Sequence, residues 1–283
     1  WRIASAWRWM FASEAVPAAI FFALLFAIPE SPRWLVMKGR EAEAAAVLKR
    51  MGADGDVAAQ IEAIHRSFDR QDGCFRDCLR TPIRRIFFIG AGLAILQQIT
   101  GINIVMYYAP RIFTSAGLDS ASAIGHSVII GLVMLGFTLV AMFLSDRVGR
   151  RPLLLISSVG MAAGLFALGA AYAGSDQGSA RSLLLWVLVY VASFSIGMGP
   201  LVWTVLGEIF PNRVRAHAAS ACVFLLWTAN FAVSQLFPWM LSTFEYRVFW
   251  FFGALCVLTI GFVWLLVPET KGRSLEELES FSH

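Results

Sequence analysis

Six polar side chains lie within twelve residues of an otherwise apolar stretch: Gln97, Gln98, Thr100, Asn103, Tyr107 and Tyr108, with Gly101 among them. Each amide offers both donors and acceptors, which suits a ligand rich in hydroxyl groups, such as a sugar. Hydrogen bonds between helices would account for one or two such groups; six in a dozen residues point to a wet binding site. At ~100° per residue the set covers an arc too wide for one narrow stripe. Either the helix is distorted at Gly101, or its two sides serve different neighbours. A second break is predicted at Gly197-Met198-Gly199-Pro200, because proline removes a backbone donor and kinks a helix. Trp203 follows closely, and an indole can stack on the apolar face of a pyranose and donate its N–H; simple packing is the alternative. Trp227 and Asn230, three apart on one helical face, repeat the pairing of aromatic and amide. Glu14 is a carboxyl inside an apolar stretch, a position that can bind and release a proton or can hold a snorkelling, locally paired side chain.

The elements that carry these residues must be membrane spans. Of 283 residues, 58% are hydrophobic and 15% charged, with a mean hydropathy of +0.67, against about 25% charged in soluble domains. A bilayer core needs ~20 mostly apolar residues per helix, and seven stretches qualify: 10–28, 86–110, 125–144, 152–173, 183–207, 216–238 and 247–267. The connections 31–85, 111–124, 145–151, 174–182, 208–215, 239–247 and the tail hold eleven, one, three, one, two, one and two Lys or Arg. Rich and poor loops alternate, which places the rich ones and the C-terminus in the cytoplasm by the positive-inside rule; Arg2 and Arg8 run against it. Topology thus accounts for the net charge of +4, and no nucleic-acid partner is called for. The inner loops carry paired charges: Asp146, Arg147, Arg150 and Arg151 in one, Glu208, Arg213 and Arg215 in the next. They can form cross-helix salt bridges that make and break with the inner mouth, or act as plain topological anchors. Cys74 and Cys78 lack further ligands at zinc spacing, so no metal is expected. Neither a nucleophile–base set nor a metal cluster marks an enzyme, and no cofactor is expected.

The two ends of the chain echo each other. Pro29-Glu30-Ser31 follows the first span and Pro268-Glu269-Thr270 follows the last, 239 residues later, and Arg8 matches Arg247 at the same offset. Many transporters are built from two homologous halves. The first span then closes one half and the other six form the second, with five spans expected upstream of Trp1. The resulting organisation is residues 1–30 as the last helix of an N-terminal half, 31–85 as a cytoplasmic helical domain, 86–268 as a six-helix bundle and 269–283 as a cytoplasmic tail. Within 31–85, apolar spacing predicts helices over 41–51 and 57–68, broken at Gly52-Ala53-Asp54-Gly55-Asp56.

Gln97 to Asn103, Asp146 to Arg151, Glu208-Ile209-Phe210-Pro211, Pro29-Glu30-Ser31-Pro32-Arg33 and Pro268-Glu269-Thr270-Lys271-Gly272 together resemble the signatures of the sugar porter family of the major facilitator superfamily, in order and spacing. Trp9 to Glu14 and Tyr107 to Pro110 are similar to its xylose–proton symport branch. The resemblance implies an all-α, polytopic major facilitator fold whose seven spans correspond to helices six to twelve, in the plasma or bacterial inner membrane. It implies monosaccharide transport by alternating access, with sugar contacts from Gln97, Gln98, Asn103 and Trp203 and an outer gate at Tyr107 and Tyr108; the spacing of Trp227 and Asn230 adds these two as candidate contacts. It implies an inner charge network of Glu30, Arg33, Asp146, Arg150, Arg151, Glu208, Arg215 and Glu269, and a proton-coupling role for Glu14 that draws on a proton gradient. Leu226 departs from the pattern, standing where that branch has a sugar-binding Gln, and leaves the choice of sugar open. A proton-independent facilitator and a transporter-like sensor are the alternatives; a sensor would be expected to carry a longer tail.

Overall fold

The computed structural model describes residues 6–52, 56–68, 74–81, 83–115, 120–174, 180–211 and 213–271. The tail beyond residue 271, and Arg2, lie outside the described residues. All regular structure among those described is α-helical, and the chain divides into two compact units, Trp1–Asp72 and Gly73–His283.

In the first unit, α1 (Ala6–Ser13) and α2 (Ala15–Leu25) meet at Glu14, whose backbone stays helical, and together they cover most of the span expected over 10–28. The apolar helix Phe11–Leu25 is shorter than membrane length. Glu14 stands at the junction of α1 and α2, exposed, with its backbone N–H on the Phe11 carbonyl at 3.2 Å. After the Pro29-Glu30 step, Ser31 caps α3 (Pro32–Met37) by accepting the Trp34 N–H at 3.2 Å, a cap that Pro32 supports by presetting the first helical turn. The helices read from spacing form as α4 (Glu41–Arg50) and α5 (Val57–Phe68). Leu35, Val36 and Ala44 make a small core with Val47, Ile61 and Ile64, and His65 meets Glu41 at 2.9 Å across α4 and α5.

The second unit begins with a short α6 (Phe75–Cys78) and continues through α7 (Ile83–Ile99), α8 (Ile102–Ser115), α9 (Ser120–Val148), α10 (Arg150–Ala173), α11 (Ala180–Ile196), α12 (Met198–Glu208), α13 (Arg215–Phe244) and α14 (Arg247–Leu266). Among the described residues, six spans of 20 to 30 residues are long and apolar enough to cross a membrane. Two of them are broken pairs: Ile83–Pro110 joins α7 to α8, and Arg181–Glu208 joins α11 to α12. α10 packs on α11 and α14, and α13 packs on α7. Tyr190, Phe210, Phe237 and Phe249 are the largest side chains closed inside this bundle. The outer faces of α9 and α14 keep Leu, Val and Phe exposed, as surfaces turned to lipid do.

Candidate functional site

Both predicted breaks are real, and they are bonded to each other. α7 ends at Thr100, whose hydroxyl donates back to the Gln97 carbonyl at 2.8 Å, and Gly101 turns the chain with a φ of +94°. The Thr100 carbonyl released by the break accepts the Tyr190 hydroxyl at 3.0 Å. At the second break the Met198 N–H donates to Ser157 Oγ at 3.0 Å. Gly197 has no room for a side chain, since a Cβ there would lie 2.5 Å from the Leu153 carbonyl oxygen. The carbonyls of Met198 and Gly199, in the first turn of α12, accept the two donors of Gln97 Nε2 at 2.8 and 3.1 Å. Amides then follow in a chain, with Asn103 Nδ2 donating to Gln98 Oε1 at 2.6 Å and Gln98 Nε2 donating to Gln97 Oε1 at 3.3 Å.

This chain of amides lines a cavity of about 310 Å³ together with Trp203, Trp227, Met134 and Pro200. The volume lies at the small end of the ~300–1,000 Å³ range of small-molecule sites. Both indoles are roughly half exposed, 45% for Trp203 and 54% for Trp227, which leaves faces free to stack on a ligand. The arc that was too wide for one stripe is divided by the break: Gln97 and Gln98 end α7 while Asn103 opens α8. Six polar groups do not all serve the cavity, however. Thr100 closes the helix end, and Tyr108 donates to the Ser234 carbonyl at 3.3 Å while its ring meets Phe237 at 5.1 Å. Tyr107 is 58% exposed. Asn230 does not line the cavity; it is buried on α13, accepting the Ser234 hydroxyl at 3.0 Å, with Nδ2 lacking a partner. Leu226 is sealed in the apolar core.

At one end of the bundle the charges form a clasp. Gly149 adopts a φ of +103° before α10, and a Cβ there would sit 2.7 Å from Glu269 Oε2. The Glu269 carboxylate accepts the N–H groups of Arg150 at 3.0 Å, Arg151 at 3.1 Å and Lys271 at 2.9 Å. It thereby caps α10 from a distant part of the chain, where orphan donors and the helix dipole both favour an anion. Burial opposes ionisation of Glu269, but the backbone N–H groups outweigh it and hold its carboxyl below the usual range. Arg150 bridges Asp146 at 3.3 Å and Glu208 at 2.9 Å, and the second oxygen of Glu208 accepts the Thr270 hydroxyl at 2.6 Å. Arg151 instead donates to the Trp264 carbonyl, and the Arg215 Nε donates to the Phe210 carbonyl at 3.0 Å. Glu30 and Arg33 lie in the first unit, both exposed.

Sequence reasoning missed two groups. Asp77 binds Arg213 at 3.1 Å and Arg80 at 3.2 Å and accepts the Cys74 N–H at 3.0 Å; that backbone bond, then Arg213, hold its carboxyl below the ordinary range. Ser157, which holds the second break, gave no signal beyond being a hydroxyl in an apolar run.

A family model described as sugar (and other) transporter matches residues 2–281. The chain is 38% identical over 287 residues to a D-xylose-proton symporter of Escherichia coli (strain K12), covering 99% of this chain and 58% of that protein. It is 36% identical over 281 residues to an arabinose-proton symporter of Bacillus subtilis (strain 168), covering 99% and 60%. A solved structure of a major facilitator proton:xylose symporter bound to 6-bromo-6-deoxy-D-glucose superposes with a TM-score of 0.80 at 38% identity, covering 100% of this chain and 60% of that one. The chain therefore spans somewhat under two thirds of the length of these relatives.

Proposed function

The chain belongs to the sugar (and other) transporter family, as part of a multi-pass membrane protein, and from that premise we propose that the whole protein moves a monosaccharide across the membrane by alternating access, driven by a proton gradient. The observation that supports the reading best is the amide chain Gln97, Gln98 and Asn103 beside Trp203 and Trp227, in a cavity built where two spans break. Neutral donors and acceptors next to flat aromatic faces match the alternating hydroxyl and C–H surfaces of a pyranose or pentose. Tyr107 and Tyr108, beyond Asn103 on α8, act as the outer gate. The clasp of Asp146, Arg150, Glu208 and Glu269 fastens the inner mouth, and the basic loops lie in the cytoplasm with the C-terminus.

Two measurements on the full-length protein test this. In Gln97→Ala and Asn103→Ala, sugar affinity falls by roughly fivefold to a hundredfold, the equivalent of about 1–3 kcal/mol for an unsatisfied buried partner; unchanged affinity in both removes the site from this cavity. Glu14 carries the proton in this scheme, standing at the junction of α1 and α2. Glu14→Gln then abolishes uphill uptake while leaving sugar exchange intact, and normal uphill uptake in that variant makes the protein a proton-independent facilitator.

A further inference from the structure

A second cavity, of about 210 Å³, opens between the start of α7, the end of α12 and the chain leaving α14. Ile86, Ile89, Ile209 and Val267 give it a buried aliphatic floor, and two guanidinium groups, Arg85 and Arg151, stand in its wall. Arg151 is the more informative of the two. Its neighbour Arg150 meets Asp146 and Glu208, but among the described residues the Arg151 side chain has no carboxylate within salt-bridge distance. It donates to the Trp264 carbonyl, lies over the Trp264 ring at 6.0 Å, and its Nε has no hydrogen-bond partner. Half-buried, and with neutral partners among the described residues, the Arg151 guanidinium is placed to take an anion from the cavity.

The cavity also has an apolar exit. Leu265 lines it and is 76% exposed, and one and two heptads back on the same face of α14 lie Leu258, 58% exposed, and Phe251, 50% exposed. This stripe runs from the arginines along the length of the span, and the Trp264–Arg151 pair marks the helix end as an interfacial anchor. We propose that the cavity holds the headgroup of an anionic phospholipid, with its phosphate between Arg85 and Arg151 and an acyl chain along Leu265, Leu258 and Phe251. Basic pockets between helix ends take such headgroups. A free phosphate would leave the aliphatic floor and the stripe unused. The lipid fastens the end of α14 to the start of α7, next to the clasp.

The test is native mass spectrometry of the full-length protein in detergent, titrated with phosphatidylglycerol or phosphatidylcholine. Phosphatidylglycerol is retained in preference to phosphatidylcholine, and Arg85→Gln and Arg151→Gln each weaken its retention by roughly fivefold, as loss of one basic contact near a membrane surface predicts. Leu265→Asn weakens it too, which keeps the proposal testable if Arg151→Gln does not fold. Arg84→Gln, an exposed cation outside the cavity, leaves it unchanged. Equal retention of the two lipids, or equal damage from Arg84→Gln, overturns the proposal. Displacement of phosphatidylglycerol by inorganic phosphate at matching concentration marks a plain anion site, and binding that appears only after deletion of residues 272–283 makes the acidic tail the true occupant; either overturns it. Because lipid retention is the readout, failure here leaves the transport reading untouched.

Discussion

The amide cluster at the helix breaks and the charged clasp at the helix ends both join distant parts of the chain, but they are made of different chemistry. The breaks are joined by neutral dipoles: Gln97 ties two carbonyls at the start of α12, and Gln98 and Asn103 extend the line. The clasp is made of ions and a helix cap: Arg150, Asp146, Glu208 and Glu269. Depth explains the choice, since an ion deep in hydrocarbon is costly whereas an ion at a helix end can be partly hydrated. Spare capacity separates them further. An amide offers about four hydrogen-bonding positions, and the three amides use only some of theirs. In the clasp the Glu208 and Glu269 oxygens are all engaged. One region keeps spare hydrogen-bonding positions beside a cavity, and the other uses its carboxylate oxygens on its own chain.

The harshest way to break the first region is to push the helices apart where they touch. In Gly197→Ala the new Cβ meets the Leu153 carbonyl oxygen and Ser157 Cβ, both at 2.5 Å. A backbone carbonyl cannot swing away, so overpacking should cost about 3 kcal/mol. Thermal unfolding of the full-length protein in detergent should show the largest fall of the set, with sugar affinity lost alongside. In Gly149→Ala the obstacle is the Glu269 carboxylate at 2.7 Å, which can move, but the φ of +103° leaves strain and a broken cap worth about 2 kcal/mol. A larger loss in Gly149→Ala than in Gly197→Ala would reverse the ranking of the two regions.

The next pair sharpens the division between accepting and fastening. Glu208→Gln removes the charge that Arg150 meets at 2.9 Å in a partly buried setting, above the 0–1 kcal/mol of an exposed pair and so about 1–2 kcal/mol. The clasp then opens more readily, seen as faster labelling of cysteines placed at the inner mouth, while the sugar contacts remain. Asn103→Ala does the reverse: it lowers sugar affinity and costs about 1 kcal/mol of stability for the lost bond to Gln98. Raised salt should weaken the fastening in the parent and leave the Asn103 contribution unmoved.

How far each region could be read from sequence follows the same division. The breaks at Gly101 and Gly197 were legible because glycine and proline act on the local backbone. Six of the seven spans were legible because length and apolarity are local too. The first, expected over 10–28, is covered by α1 and α2 with Glu14 in helical conformation between them, and its apolar helix Phe11–Leu25 is shorter than the other six. Which charges would meet was only partly legible. Arg150 with Glu208 was anticipated, but the cap that Glu269 places on α10 joins residues 119 apart and depends on Gly149 allowing the approach. Asp77 with Arg213, 136 apart, left no mark in any window. Asn230 shares a helical face with Trp227 as its spacing says, but its side-chain oxygen accepts the Ser234 hydroxyl one turn on, a local bond that the spacing did not announce.

The smallest expected effect is on acid sensitivity, and it separates the two regions without disturbing either fold. The amides have no titrating group, so the midspan cluster should be indifferent to pH across the whole acid range. Glu269 is different: its folded carboxyl titrates below the ordinary range because three backbone N–H groups of the clasp and that of Thr270 favour the anion against the opposing effect of burial. A carboxyl with a lowered folded pKa binds its proton more readily in the unfolded chain, so stability is lost as pH falls. Its contribution is complete above about pH 5, where the unfolded carboxyl is already ionised, and fades as pH drops through the folded value. Glu269→Gln removes this contribution at neutral pH, at about 1 kcal/mol for a weakened cap, and makes the remaining stability less dependent on pH below 5. Melting temperatures of the full-length parent and the variant at pH 7, 5 and 4 decide it. The two curves should converge as the pH falls. If they stay parallel, Glu269 is held by packing rather than by its charge, and the clasp is a fastening of shape as much as of ions.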